Sequence, residues 1–328
     1  MDLSRQEYVK LVRKWGYTNT GGLLEESTHT FFLEGIEGFI GYHLNENNAI
    51  VFGDPVSAPE NKGILALAFQ KECESKQLGT VYTMASLVFA EWAVKHLSAS
   101  ALEWGENYLS DPRVNPIDKS GVKASLVRRK SKHALKEGVV VREYHPPNLE
   151  IEAQIEKLGQ EWLEHRKGVQ LHLSHLNLFK DTEGKRWFYA EQKGKIVGLG
   201  MLNALESMQG WLLNHVIISP DAAHGVPELL IVKILEAGEQ EGCCFVVMGP
   251  APAKRLKKIL GANPFVAGAA RCIYAGANLI LHFGRFGMFW DKFQLETEGS
   301  YLVFPKGNLS YKSIRSLLDA FNLSAKLF

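Results

Sequence analysis

The sequence predicts two α/β domains in tandem, each a mixed sheet flanked by helices. Strand-like and helix-like segments alternate along the chain, and one strand–turn–helix–strand unit occurs twice, at residues 48–86 and 212–250. A strand, a short crossover helix and a second strand imply a parallel pair with a right-handed connection. The repeat therefore places one such pair in each half of the chain.

The elements of the first half follow in order. Residues 1–16 carry charges throughout, which predicts an amphipathic helix and no signal peptide. In the first repeated unit, Asp54 and Pro55 form a tight turn with a structural role, and Gly79 is expected to end the helix. A further helix ends at Gly138, and another begins after Pro146-Pro147, an extended connector. We therefore place the domains at residues 1–145 and 146–328.

The second half begins with three strands within residues 186–219, joined by tight turns at 193–195 and 206–210. A loop then leads to a helix with Pro227 in its first turn and Gly242 at its end. This order is that of a GCN5-related acyltransferase domain, so the predicted fold is a tandem of GCN5-related N-acetyltransferase-like domains. The apolar stretch 267–283 is short for a membrane span, and we expect a strand and turn in a core.

Composition sets broad limits on function. The chain has 328 residues, 46% of them hydrophobic, and a formal net charge of +1, which argues against wholesale coating of nucleic acid. Its four cysteines form no paired spacing, so a reducing, cytoplasmic location is expected, with only peripheral membrane contact. His172 and His175 lack further ligands at the usual spacing, so no metal is predicted, and no cofactor either.

The loop before the helix of the second unit resembles a phosphate loop in layout, because it is aimed at a helix N-terminus. It has one glycine where a coenzyme A site would present several, and Asp221 and Glu228 would repel a pyrophosphate. The loop argues against coenzyme A and permits a cationic aminoacyl group, with Asp221 and His224 as substrate contacts. Glu228 is a catalytic candidate or, alternatively, a favourable partner of the helix dipole.

Basic residues form a second group of candidates. Helical spacing puts Arg129, Lys132, His133 and Lys136 on one side of a helix that also carries Arg128. This side is either a solvated face or a patch for a tRNA backbone or an anionic lipid headgroup. Arg166 and Lys167 are candidate ligands for a carboxylate or phosphate.

Three further residues are catalytic candidates. Lys292 lies in an aromatic-rich segment, where it is either a surface residue or, if desolvated, a group that binds phosphate or stabilises an oxyanion. Asn214 and His215 end the strand before the loop. Alternation predicts opposite faces for them, with Asn214 a donor to an oxyanion or His215 a base.

Seven segments in register carry a resemblance to a known family. They are FGDPVSAP (52–59), WGENYLSDP (104–112), LVRRKSKHALKEGVVVREY (126–144), WLEHRKG (162–168), SPDAAHGVPELL (219–230), FVVMGPAP (245–252) and FWDKF...YLVFP (289–305). The chain resembles the C-terminal catalytic domain of the phosphatidylglycerol lysyltransferase (aminoacyl-phosphatidylglycerol synthase) family. The resemblance implies transfer of an amino acid from aminoacyl-tRNA to a lipid hydroxyl at the inner membrane face. We expect no counterpart of the family's multi-helix membrane domain in this chain, with a separate flippase-type membrane protein as a candidate partner.

The chain departs from the family pattern at three positions. Asn214 and Ile217 stand where members carry an Asp-x-x-Arg pattern, and Ser300 stands where they often carry arginine. Glu228 and Lys292 are retained. The departures favour, as alternatives to a transferase, a member that binds tRNA or anionic lipid without catalysis; a coenzyme A-dependent N-acyltransferase is the third possibility.

Overall fold

The computed structural model describes residues 4–20, 23–24, 29–165, 176, 178–179, 182–307 and 309–320. The helices of at least eight residues are α1 Arg5–Trp15, α2 Pro59–Ser75, α3 Leu87–His96, α4 Val122–Lys136, α5 Leu149–His165, α6 Val226–Gln240, α7 Pro264–Leu281, α8 Gly284–Asp291 and α9 Tyr311–Ala320. The strands are β1 His29–Phe31, β2 Gly38–Asn45, β3 Asn48–Phe52, β4 Val56–Ser57, β5 Gly79–Ala85, β6 Ser100–Ser110, β7 Val140–Tyr144, β8 Lys185–Gln192, β9 Lys195–Leu205, β10 Gly210–Ile218, β11 Val246–Pro252, β12 Ile259–Leu260 and β13 Glu296–Phe304.

One mixed sheet runs through both halves of the chain, in the order β1-β2-β3-β5-β13-β6-β11-β10-β9-β8-β7. The two halves interleave, because β13 pairs with β5 and β6, and β6 also pairs with β11. The proposed boundary at residues 145 and 146 falls between β7 and α5, at an edge of this sheet. The division into two domains stays a prediction.

Both repeated units form the parallel pairs that the sequence predicts. β3 pairs with β5 in parallel, and β10 pairs with β11 in parallel. The strands β8, β9 and β10 form the expected antiparallel meander, and α6 follows it. These elements confirm the predicted fold class, an α/β fold with a mixed sheet flanked by helices.

Helices cover both faces of the second half of the sheet. Side chains of α6 pack with Leu202 and Leu213, whereas Ile155 and Leu158 of α5 pack in a separate cluster with Met201 and Ile217. Neighbouring strand residues point to opposite faces, so α5 and α6 lie on opposite sides of β9 and β10. The sheet therefore separates the side chains that pack against α5 from those that pack against α6.

Two sequence expectations were wrong. The apolar stretch 267–283 is not a strand and turn in a core but most of the helix α7, in which Ala267 is the single buried residue. Its small residues and its cap at Asn263, which accepts a bond from the Val266 N–H, favour a helix start. Gly79 begins β5 instead of ending α2, which stops four residues earlier, at Ser75. The corresponding Gly242 does have the left-handed backbone expected after a helix, with φ of 72°.

Candidate active site

The structure brings together one buried carboxylate and two lysines at the N-terminus of α6. Glu228 is the third residue of this helix and is 1% exposed. Its Oε1 accepts hydrogen bonds from Nζ of Lys130 on α4, at 2.9 Å, and from Nζ of Lys292 at the end of α8. The cluster Glu228–Lys130–Lys292 thus joins three helices through a single carboxylate oxygen.

Backbone geometry positions Lys130 over the helix start. Gly225 precedes α6 with φ of 95°, and a Cβ placed on it would lie 2.1 Å from the Lys130 carbonyl oxygen. Only glycine allows both this backbone conformation and this close approach. His133 Nδ1 lies 3.2 Å from the His224 carbonyl oxygen, one turn further along α4. The single glycine of the loop therefore serves the packing of α4 on α6.

Aromatic rings hold Lys292 from the other side. Its Nζ lies 3.9 Å from the ring centroid of Phe289 and 5.4 Å from that of Phe293, so two cation–π contacts supplement the ion pair. Lys292 is 9% exposed, which makes it a desolvated lysine and not a surface one. The aromatic residues of this segment therefore surround the lysine.

Burial and charge shift both pKa values in the cluster. Burial by itself would raise the pKa of Glu228, but the hydrogen bonds from Lys292 and Lys130 hold that pKa below its ordinary value. Burial lowers the pKa of Lys292, and the neighbouring Glu228 opposes only part of this effect. The carboxylate is therefore firmly ionised, and the lysine gives up its proton more readily than an ordinary one. Glu228 Oε2 is buried and has no hydrogen-bond partner among the described residues, so it is an unused acceptor.

The loop before α6 does not offer a row of free N–H groups. The Asp221 N–H donates to Ser219 Oγ, Ala222 to the Ser219 carbonyl and Ala223 to Gln192 Oε1. A pyrophosphate cradle needs such groups unpaired. The side chains of Asp221 and His224, both predicted substrate contacts, are exposed to solvent.

The structure separates His215 from this cluster. The pairing of β9 with β10 shifts register between Leu213 and His215, so Asn214 is the extra residue of a bulge. Beyond the bulge, Ile217 packs under α5 and Val216 packs with the cluster under α6. His215 shares the face of Ile217 and is 4% exposed, on the opposite side of the sheet from Glu228. The half-buried Asn214 lies at the bulge itself, where simple alternation does not apply.

The predicted basic residues divide into structural and solvent-facing ones. Arg128 is half-buried, and its Nη1 donates to the carbonyl oxygens of Ile117, at 2.5 Å, and Lys119, at 2.8 Å. Arg129 and Lys132 are exposed and form no ion pair with another described residue. Arg166, Lys167, His172 and His175 lie outside the described residues.

Sequence reasoning missed Lys130, the second cation of the cluster. The helical spacing that placed Arg129 and Lys132 on the outer side leaves Lys130 beside the buried stripe Ala124, Val127, Ser131 and Ala134. A lysine at the edge of an apolar stripe is placed to reach a partner on the neighbouring helix. That position was the available signal.

The turn at Asp54 has the structural role that its sequence indicates. Asp54 is 6% exposed, and its carboxylate accepts hydrogen bonds from the Ser86 N–H and Oγ, each at 2.8 Å. Ser86 in turn caps α3 through its bond from the Phe89 N–H. The carboxylate thus fixes the start of a helix.

Comparisons with known proteins agree with this architecture. The model of the family described as "Phosphatidylglycerol lysyltransferase, C-terminal" matches residues 13–304. The solved structure of L-PGS from Bacillus licheniformis is 16% identical, with a TM-score of 0.78 over 98% of this chain and 97% of that one. The C-terminal domain of a putative lysylphosphatidylglycerol synthetase from Agrobacterium fabrum is 17% identical, with a TM-score of 0.75 over 97% and 94%.

A more distant structure, a conserved protein of unknown function from Bacteroides thetaiotaomicron, is 9% identical with a TM-score of 0.59 over 92% of this chain and 97% of that one. At such identities these structures show a shared fold. No curated protein matches the sequence.

Proposed function

Because this chain belongs to the family of the phosphatidylglycerol lysyltransferase C-terminal domain, we propose that it transfers an amino acid from aminoacyl-tRNA to a hydroxyl group of a phosphatidylglycerol-like lipid. The family supports the transferase class, with aminoacyl transfer to lipid as the family reaction. The tRNA donor and the lipid acceptor of this chain are parts of the proposal. The observation that carries it is the buried cluster Glu228–Lys130–Lys292, which unites two residues retained from the family pattern.

The chemistry is the attack of the lipid hydroxyl oxygen on the ester carbonyl carbon. A new C–O bond forms to the lipid, the C–O bond to the tRNA ribose breaks, and the hydroxyl proton passes to the leaving ribose oxygen. Such an exchange needs orientation, a proton path and donors for the oxyanion, but no covalent nucleophile.

The cluster has a group for each of these requirements. The free Oε2 of Glu228 can accept from the ammonium group of an aminoacyl ester. An ammonium bound there competes with Lys292 for the carboxylate, which releases Lys292 to donate to the oxyanion. The lowered pKa of Lys292 also makes its neutral amine form easier to populate, and this form can accept a proton. Entry requires the half-exposed Lys130 side chain to move aside from Glu228.

The exposed cations of α4 suit the phosphate backbone of the donor. Arg129 and Lys132 lie on the same helix as Lys130, so a tRNA bound along this face would end near the cluster. We further propose a cytoplasmic protein at the inner membrane face, with a flippase-type membrane protein as a separate partner.

A binding protein without catalysis is the second candidate, and the observation that favours it is at Ile217. This residue is fully buried among apolar side chains such as Trp187 and Ile155, where family members carry the arginine of their Asp-x-x-Arg pattern. Ser300, also at an arginine position, is fully buried in β13. The coenzyme A alternative is disfavoured by the paired N–H groups of the loop.

The test incubates the protein with tRNA charged with labelled amino acids and with membrane lipid extract, and follows label into chloroform. Transfer to lipid that is lost in Lys292→Met but kept in Lys233→Met, a matched change of a lysine in a partly exposed pair on α6, supports the proposal. Accelerated loss of label from tRNA without a lipid product would mean that the acceptor is a molecule other than the lipid. Intact tRNA binding with neither reaction favours the binding protein.

A further inference from the structure

The helix α7 exposes a large apolar surface. Phe265 is 91% exposed, Leu279 76% and Ile280 60%. Together with Ala269, Cys272 and Gly276 they recur at helical spacing along one side. Among the described residues, α7 is the one helix long and apolar enough to cross a membrane by length and composition. A contiguous apolar surface of this kind marks an interaction site.

The opposite side of α7 is fixed to the body of the protein. Ala270, Tyr274, Ala277 and Leu281 pack against the main apolar cluster of the sheet. The Tyr274 hydroxyl lies 2.8 Å from the carbonyl oxygen of Trp104 and 2.7 Å from the carbonyl oxygen of Ala253, the residue that follows β11. In this fold the helix cannot span a membrane without uncovering that cluster. It is placed to lie flat on a surface, along a length of about 27 Å.

Charge identifies the surface that suits it. Residues 242–290 contain no Asp or Glu, whereas six Lys and Arg occur among them. Lys254 and Arg255, which follow the backbone contact of Tyr274, are exposed and form no ion pair with another described residue. A Cβ placed on Gly284 would lie 3.4 Å from the Lys254 side chain, so Lys254 borders the α7–α8 junction. Apolar residues beside unpaired cations match an anionic bilayer surface.

We infer that α7 docks onto an anionic phospholipid bilayer, with Phe265, Leu279 and Ile280 in the acyl boundary and Lys254 and Arg255 at the headgroups. The helix α8 follows directly and ends one residue before Lys292, so docking of α7 would place the candidate active site near the headgroups. Docking of α7 would bring the protein to the lipid surface that the proposed function uses. It does not require the transfer reaction, and its test contains no tRNA, so the two can fail separately.

The test is flotation with vesicles of phosphatidylcholine alone or mixed with phosphatidylglycerol. We expect binding to the anionic vesicles, at least about tenfold weaker for Leu279→Ser/Ile280→Ser because two apolar side chains leave the interface. Lys254→Gln/Arg255→Gln should weaken binding to anionic vesicles about 30-fold and leave binding to phosphatidylcholine unchanged. The control Val88→Ser changes an apolar residue that is 79% exposed on α3 and should bind as the parent protein does.

A second readout uses Cys272, which is exposed on α7, in a Cys244→Ser background; Cys73 and Cys243 are buried. An environment-sensitive dye on Cys272 should shift to the blue with anionic vesicles. Absence of binding by the parent protein, or equal binding by the α7 variants and the control, overturns the inference. Sedimentation velocity detects the rival occupant: a dimer that Leu279→Ser/Ile280→Ser dissociates would assign the surface to a second copy of the chain and overturn the bilayer.

Discussion

Breaking the buried ion pair one side at a time should cost far more stability than removing both charges together. In Glu228→Gln, Lys292 stays 9% exposed and loses its only carboxylate contact among the described residues, next to the second cation Lys130. Removing one partner of a buried pair costs about 3–5 kcal/mol. For a cooperative unit of this length, that loss lowers the melting temperature by about 4–7 °C.

The double variant Glu228→Leu/Lys292→Met replaces the pair by apolar side chains of similar size. Its unfolding free energy should equal or exceed that of the parent protein, by up to about 4 kcal/mol, since no charge needs to be desolvated. The same variant should lose aminoacyl transfer completely. Stability without activity would indicate that the charged pair is present for function and not for folding.

Calorimetry and urea unfolding measure these effects, and Lys123→Gln is the control. Lys123 pairs with Asp291 at the surface, where both side chains are more than half exposed, so its loss should change stability by less than about 1 kcal/mol. A melting temperature of Glu228→Gln within 1 °C of the parent protein would refute the reasoning, because it would mean that Lys292 reaches water without cost.

Three further predictions concern the surroundings of this pair. Gly225→Ala should destabilise the protein by at least about 2 kcal/mol and impair transfer, because its Cβ would clash with the Lys130 carbonyl at a positive φ; unchanged unfolding and turnover would contradict the packing of α4 on α6. Asp54→Ala should cost about 2–3 kcal/mol while the folded protein keeps its transfer rate, and a lost rate at full stability would instead make the turn a substrate site. The stability that ionised Glu228 contributes should be complete above an ordinary glutamate pKa and should fall as the pH drops through its lowered pKa; the lowered pKa of Lys292 destabilises the folded protein at neutral pH, so stability should also rise as the pH increases from that pKa to an ordinary lysine pKa. Unfolding measured across pH should show both slopes flattened in Glu228→Leu/Lys292→Met, and identical slopes in the two proteins would contradict the assignment.

Local pattern was enough to predict the repeated units and the meander. Apolar periodicity and the residues Pro227 and Gly242 mark the second crossover helix, and the structure has α6 between those positions. The same kind of evidence failed at 267–283. An apolar run is compatible with a buried strand or with an exposed helix, because periodicity does not report what covers the outer face.

The sequence also predicted part of the candidate site. Glu228 and Lys292 were candidates because of residue type and family register, and the structure brings them into contact although 64 residues separate them. His215 was a candidate for the same kind of reason, but the bulge at Asn214 and the sheet place it on the far side. A one-residue bulge reverses the face that each later side chain of the strand occupies, and no residue type in the sequence predicts such a bulge.

The sequence by itself determined the two repeated units with their parallel pairs, because each depends on the order of residues along a short stretch. It also determined the family, because the matching segments occur in register along the chain. The tertiary structure alone decided that β13 lies between β5 and β6, that Lys130 shares a carboxylate with Lys292, and that one face of α7 stays uncovered. These features depend on which distant segments pack together. Desolvation, and with it the shifted pKa values of the pair, exists only once that packing has removed water from the charges.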